Sequence, residues 1–125
     1  ISACLVGSEM CIRDSIIIEC NKRPLRCILD TGYPGTIWMG RENAARYGIR
    51  PSGRDYFATT GSGAQAKYNL GFAQVFLDPV RFENLPIEVH EGHHVEYALL
   101  GTRMLRDFVV TLDFKDGYTD LQYID

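Results

Sequence analysis

The amino-acid sequence predicts a mainly β fold, built as a small closed or twisted barrel with one or two short helices. Short runs rich in β-branched and other apolar residues recur along the chain. Turn-forming Gly, Pro, Asn and Asp residues separate these runs, and only two segments have helical character. The 125 residues are 46% hydrophobic, which suits one domain with a small core.

The first elements are predicted to be a hairpin, a helix and a second hairpin. SIIIEC at residues 15–20 is a strand, NKRP is a turn, and LRCILD is a return strand that ends at Asp30. RENAARYGI at residues 41–49 favours a helix that Gly48 can cap. DYFATTGSGAQAKY at residues 55–68 is the second hairpin, and its tip consists of small residues, namely Thr60, Gly61, Ser62 and Gly63.

The second half of the chain is predicted to consist of strands around one further short helix. TRMLRDF at residues 102–108 is that helix, because Met104, Leu105 and Phe108 fall on one side of it. The predicted strands are FAQVFL (72–77), LPIEVH (85–90), YALLG (97–101), VVTLDF (109–114) and TDLQYI (119–124).

The first fifteen residues, ISACLVGSEMCIRDS, are expected to be extraneous to the domain or disordered. They show no clear periodicity, and SEMCIRDS resembles a peptide produced by translation of sequencing-adapter DNA. The alternative is an ordinary N-terminal strand. We therefore divide the chain into residues 1–15, an N-terminal segment, and residues 16–125, the functional domain.

Composition and charge argue against two classes of partner. The net charge is −3 and no basic run forms a stripe for phosphates, so we expect no nucleic-acid partner. No apolar run approaches the roughly 18 residues of a membrane span, so we expect no membrane partner.

The cysteines contain no C-x-x-C pair that would indicate a zinc knuckle or a redox site. If Cys20 pairs with Leu25 across the first hairpin, Cys27 is its diagonal neighbour, which is usually too distant for an unstrained disulfide. We interpret both as buried thiols in a reducing compartment and expect a cytoplasmic protein.

Two motifs about seventy residues apart indicate a function. Leu29-Asp30-Thr31-Gly32 follows a predicted hairpin and precedes a helix, and Ala98-Leu99-Leu100-Gly101 runs into the second helix. A D-T-G triplet alone is weak evidence because it also occurs by chance. With the second motif and a glycine-rich hairpin between the two, residues 16 to 120 resemble a retropepsin-like aspartic protease of clan AA. Tyr33 and Gly35 are similar to the bacterial and archaeal members, which have an aromatic residue after DTG and a nearby glycine.

The resemblance implies a small closed barrel that forms one half of a two-fold aspartic endopeptidase, and it assigns roles to the residues. Asp30, Thr31 and Gly32 would be catalytic, and the Thr31 hydroxyl would bond across the two-fold axis. Leu100 and Gly101 would support the active-site loop from behind. The flap over a polypeptide substrate would comprise the hairpin tip, and Tyr33 would join it in substrate binding; the tip residues are Thr60, Gly61, Ser62 and Gly63.

The single DTG triplet implies a homodimer, because ALLG carries no acid and the dyad needs two carboxylates. No cofactor and no metal are expected. The alternative function is a non-catalytic retropepsin-like module for dimerisation or peptide binding.

Retroviral members usually have a small residue and an acid after DTG, matched by an Arg after the later glycine. Here Tyr33-Pro34 and Thr102 occupy these positions, so both sides of that ion pair are absent together.

The run His90-Glu91-Gly92-His93-His94 matches the H-E-x-x-H pattern of zinc proteases. That motif requires a helix, on which residues four apart share one face. Gly92 lies inside the run and predicted strands flank it, so we interpret it as a solvated turn between strands.

Overall fold

The computed structural model describes residues 15–59, 62–92, 96–113 and 118–124, with the backbone alone for residues 110–113 and 118–121. The described chain contains nine strands and two short helices. These are β1 (Ser15–Cys20), β2 (Arg23–Leu29), β3 (Ile37–Gly40), α1 (Arg41–Arg46), β4 (Tyr56–Thr59), β5 (Gln65–Leu77), β6 (Val80–His90), β7 (Ala98–Leu100), α2 (Thr102–Leu105), β8 (Phe108–Asp113) and β9 (Tyr118–Tyr123).

Six strands form a closed barrel, as the sequence predicted. Their order is β1-β2-β7-β3-β6-β5, and β5 pairs back with β1 through Glu19 with Phe76 and Cys20 with Val75. Strand β4 extends this sheet beyond β5, while β8 and β9 form a separate two-stranded sheet. No helix among the described residues is long and apolar enough to cross a membrane.

The strand β7 lies between β2 and β3, and this arrangement creates the site. It runs parallel to β2, with Leu29 opposite Leu100, and antiparallel to β3, with Trp38 opposite Leu99. The chain therefore leaves the barrel after Leu29, forms a loop, and re-enters on the far side of β7. Strand β3 was not predicted from the sequence; it has only four residues and pairs with both β7 and β6.

Alternating side chains of the first hairpin explain where the core sits. In β2 the inward residues Leu25, Cys27 and Leu29 are fully buried, while Arg26 is exposed. Burial of one leucine contributes about 1.5–3 kcal/mol. Further fully buried side chains from other strands complete the core, notably Ile37, Met39, Ile87 and Leu100.

The hairpin register differs from the one assumed for the cysteines, although both thiols are free and buried as expected. Cys20 pairs with Arg23, and Cys27 pairs with Ile16. The reason is a two-residue turn, in which Asn21 and Lys22 both have positive φ.

The remaining differences concern the lengths of elements. The second helix spans only Thr102–Leu105, and Phe108 already belongs to β8. The strand predicted at residues 72–77 is the end of β5, a strand of 13 residues that continues from the second hairpin.

The N-terminal segment lies outside the described residues except Ser15, which begins β1. Two residues of the predicted flap tip, Thr60 and Gly61, also lie outside them.

Candidate active site

The loop after β2 holds Asp30 through backbone and side-chain hydrogen bonds. Its N–H donates to the carbonyl of Leu100 at 3.0 Å, which continues the β2–β7 pairing by one residue. Its carboxylate Oδ1 accepts a hydrogen bond from the N–H of Gly32 at 2.9 Å, and its carbonyl accepts one from Tyr33 N–H at 3.2 Å. The carboxylate is therefore oriented by its own loop, and Asp30 remains half-buried.

Gly101 lies directly behind this loop. Its N–H donates to the carbonyl of Thr36 at 2.8 Å, and Thr102 N–H donates to the carbonyl of Tyr33 at 2.9 Å. A Cβ on Gly101 would overlap the carbonyl oxygen of Gly35 and would lie 2.7 Å from that of Tyr33. Only glycine allows this approach of two backbone segments. The second motif therefore contacts the loop that follows the first motif.

The side chain of Tyr33 turns back across Gly35 and is buried. Its hydroxyl donates a 2.6 Å hydrogen bond to Oε2 of Glu88 on β6. A Cβ on Gly35 would lie 2.6 Å from Tyr33 Cζ and 2.7 Å from Glu88 Oε2, so this path of the ring needs glycine. Burial, together with the Glu88 carboxylate, raises the pKa of Tyr33 well above its usual range. Tyr33 is therefore a neutral donor to Glu88.

Glu88 connects Tyr33 to an aromatic cluster that the sequence analysis missed. Its Oε1 lies 3.2 Å from Nε2 of His90, which is only 3% exposed. The imidazole stacks on Trp38 with ring centroids 3.6 Å apart and also stacks on Tyr68 at 5.0 Å. The alternation of polar and apolar residues in LPIEVH could have indicated Glu88 and His90 as same-face neighbours, but not that the face lines a site.

His90 is accordingly a strand residue and not part of a helical zinc motif. It is the last residue of β6, and its backbone pairs with Gly40 and Tyr68. The next residue, Glu91, is half-exposed and forms an ion pair with Arg41 at 2.8 Å. His93 and His94 lie outside the described residues. The described part of the run is therefore a strand end and the start of a turn.

A cavity of about 510 Å³ lies between the Asp30 loop and the second hairpin. The inner edge of the hairpin contributes Ala58 and Thr59, and β7 contributes Leu99. The other lining residues come from the first loop, β3, β5 and β6, namely Asp30, Gly32, Tyr33, Pro34, Gly35, Trp38, Tyr68 and Glu88. Asp30 and two rings of the aromatic cluster, those of Trp38 and Tyr68, therefore line the same cavity.

The structure brings most of the predicted site residues to one place. Thr31 and Gly32 are exposed beside Asp30, and Leu100 accepts its backbone hydrogen bond. Ser62 and Gly63, the two described residues of the hairpin tip, are exposed and do not line the cavity. Their part in substrate binding, and that of the tip as a whole, stays a prediction.

The sequence profile of the family described as "gag-polyprotein putative aspartyl protease" matches residues 16–107. This chain belongs to the retropepsin-like aspartic protease family. The match covers both motifs and every strand of the closed barrel. A search of curated protein sequences finds no match.

Solved structures of this family have the same fold. A retropepsin-like aspartic protease from Rickettsia conorii is 22% identical, with a TM-score of 0.58 over 80% of this chain and 74% of its own. EIAV protease complexed with the inhibitor HBY-793 is 24% identical, with a TM-score of 0.58 over 76% of this chain and 86% of its own. The retroviral protease-like domain of Ddi1 from Leishmania major is 14% identical, with a TM-score of 0.55 over 89% and 93%.

Proposed function

We propose that this chain is an aspartic endopeptidase whose active site forms between two copies. The observation that carries the proposal is the position of Asp30 in the wall of the cavity. Gly101 packs behind the loop of Asp30 and is hydrogen-bonded to it. The Asp30 carboxylate accepts a hydrogen bond from the Gly32 N–H at 2.9 Å. Such a fixed carboxylate suits proton transfer, because the group must already point at the reacting water.

The chemistry requires a second carboxylate. Peptide hydrolysis by an activated water needs one base and one acid, and two close carboxylates that share a proton supply both. The aspartic-protease dyad is the standard case of this coupling, and it titrates as a pair. The sequence contains one D-T-G triplet, so the second group is the partner's Asp30. The exposure of Thr31 and Gly32 supports a two-fold contact at this loop.

In this arrangement each residue of the loop has a distinct task. The ionised carboxylate takes a proton from the water, and the protonated one donates a proton to the departing amine. Thr31 positions the two loops at the two-fold axis, and Gly32 keeps the space beside the carboxylate open. The second hairpin covers an extended substrate, excludes water and pairs with its backbone.

The decisive experiment is an unbiased peptide-library digest with wild type and Asp30→Asn. The substitution keeps the size of the side chain and removes the shared proton chemistry, so cleavage should vanish while fold and dimer persist. Asp78→Asn is the matched control, because Asp78 is exposed in the β5–β6 turn and does not line the cavity. Cleavage by Asp30→Asn at the wild-type rate would refute the proposal.

Sedimentation of the wild type tests the dimer separately. We expect a reversible dimer, and peptide cleavage should rise with the dimer fraction as the protein is concentrated. If only monomers exist at the concentrations where peptides bind, the site holds one carboxylate. The chain would then be a non-catalytic retropepsin-like module for dimerisation or peptide binding.

A further inference from the structure

The cavity beside Asp30 contains a second carboxylate, that of Glu88, which the proposed hydrolysis does not use. Glu88 lies on β6, opposite Trp38 of β3 and Leu70 of β5, and its side chain is 18% exposed. It lines the cavity together with Asp30, so its charge faces the space that the substrate would occupy.

The neighbours of Glu88 leave part of its hydrogen-bonding capacity open. A carboxylate offers about four lone-pair positions on two oxygens. Tyr33 donates to Oε2 at 2.6 Å, and His90 Nε2 lies 3.2 Å from Oε1, so one described partner contacts each oxygen. These two contacts fix the orientation of the carboxylate. Each oxygen therefore has the capacity to accept one further hydrogen bond.

The described wall of the cavity is acidic. None of the described residues that line the cavity is Lys or Arg, whereas Asp30 and Glu88 both carry carboxylates. The imidazole of His90 lies 3.2 Å from Glu88 Oε1 and is not part of the cavity wall. Apart from Thr59 and two glycines, the rest of the wall is apolar or aromatic, including Trp38 and Tyr68. A long aliphatic stem with a cationic head matches this combination, as in lysine and arginine side chains.

We propose that Glu88 is a specificity-determining residue that selects peptides with a lysine or arginine side chain beside the scissile bond. The inference rests on the proposed endopeptidase function and names its substrate class. In the two-fold dimer each subunit contributes one Glu88. The preference for a basic side chain therefore exists on both sides of the scissile bond, because the two cavities are equivalent.

The experiment compares paired peptides that differ at one position. A library digest with wild type first locates the cleaved bond, and the best substrates are then made with lysine or its uncharged analogue norleucine beside that bond. The variants are Glu88→Gln and Glu83→Gln. The second is the matched control, since Glu83 lies on the same strand, is exposed, and does not line the cavity.

Wild type should favour the lysine peptide in kcat/KM by about tenfold to a hundredfold, the usual effect of a hydrogen bond to a charged group. The lysine-to-norleucine ratio should fall close to one in Glu88→Gln and stay at the wild-type value in Glu83→Gln. Circular dichroism checks that Glu88→Gln is folded. A wild-type enzyme that cleaves both peptides equally would overturn the inference, as would a ratio that survives in folded Glu88→Gln.

A binding measurement separates this inference from the proposed chemistry. Trp38 is the only tryptophan of the chain and lines the cavity, so its fluorescence reports occupancy. Blocked alanine peptides with one central lysine or norleucine are titrated into wild type and Glu88→Gln. Tighter binding of the lysine peptide, lost in Glu88→Gln, supports the inference even if no peptide is cleaved. Equal affinity of the two peptides overturns it, whatever the outcome for catalysis.

Discussion

Replacement of Gly101 by alanine should be among the most damaging single changes in this protein. The added Cβ would overlap the carbonyl oxygen of Gly35 and would lie 2.7 Å from both the carbonyl oxygen and Cδ2 of Tyr33. Two of these three atoms are backbone, so no rotation of a side chain relieves the overlap. The loop of Asp30 must move away from β7 as a unit.

The size of the effect follows from that displacement. Overpacking in a well-packed site costs about 1–3 kcal/mol. Movement of the loop also breaks at least one of the hydrogen bonds from Gly101 N–H to Thr36 and from Thr102 N–H to Tyr33, at about 1 kcal/mol each. We expect the free energy of unfolding to fall by about 2–4 kcal/mol, out of the roughly 5–15 kcal/mol typical of a domain. The rate of peptide cleavage by this variant should also fall, because Asp30 moves with the loop.

Urea unfolding, followed by circular dichroism at one fixed protein concentration, measures the change. Gly92→Ala is the matched control, since a Cβ at Gly92 meets nothing within 4 Å and its φ is not in the left-handed region. That variant should be neutral or slightly more stable, because alanine restricts the unfolded chain. If the free energies of unfolding of Gly101→Ala and Gly92→Ala differ by less than about 0.5 kcal/mol, the proposed packing of Gly101 behind the active-site loop is wrong.

Two further predictions concern the site and the core. Gly35→Ala should break the Tyr33–Glu88 hydrogen bond, because the three atoms nearest to its Cβ would belong to those two side chains. It should cost about 1–2 kcal/mol, since side chains can rotate, and a loss in urea unfolding as large as that of Gly101→Ala would contradict this. Burial raises the pKa of Cys20 from its ordinary 9.0 to about 11, so its neutral form stabilises the fold below about pH 9 and that contribution is lost as the pH rises to about 11. Between these pH values the free energy of unfolding of wild type should fall more steeply than that of Cys20→Ala, by up to about 1.4 kcal/mol per pH unit. If the two free energies of unfolding change in parallel with pH, the raised pKa of Cys20 is wrong.

The local pattern of the sequence was enough to predict much of the barrel. β-Branched residues in SIIIEC and the turn residues after it predicted the first hairpin, whose strand ends at Leu29 and delivers Asp30. Helix α1 was also predicted, though it ends at Arg46, before Gly48 with its positive φ. Strand β3 escaped prediction because four residues carry too little periodic signal, and its stability comes from pairing with β6 and β7.

The sequence by itself determined the family, the barrel class and the identity of the candidate acid. Those depend on local signals: alternating apolar residues, turn residues, and two short motifs whose residue types leave few alternatives. Only the tertiary structure decided what surrounds Asp30. Tyr33 reaches Glu88 from 55 positions away, and His90, first considered as a zinc ligand, stacks on Trp38 instead. Such contacts depend on which strands become neighbours in the closed barrel, and no local pattern in the chain encodes that choice.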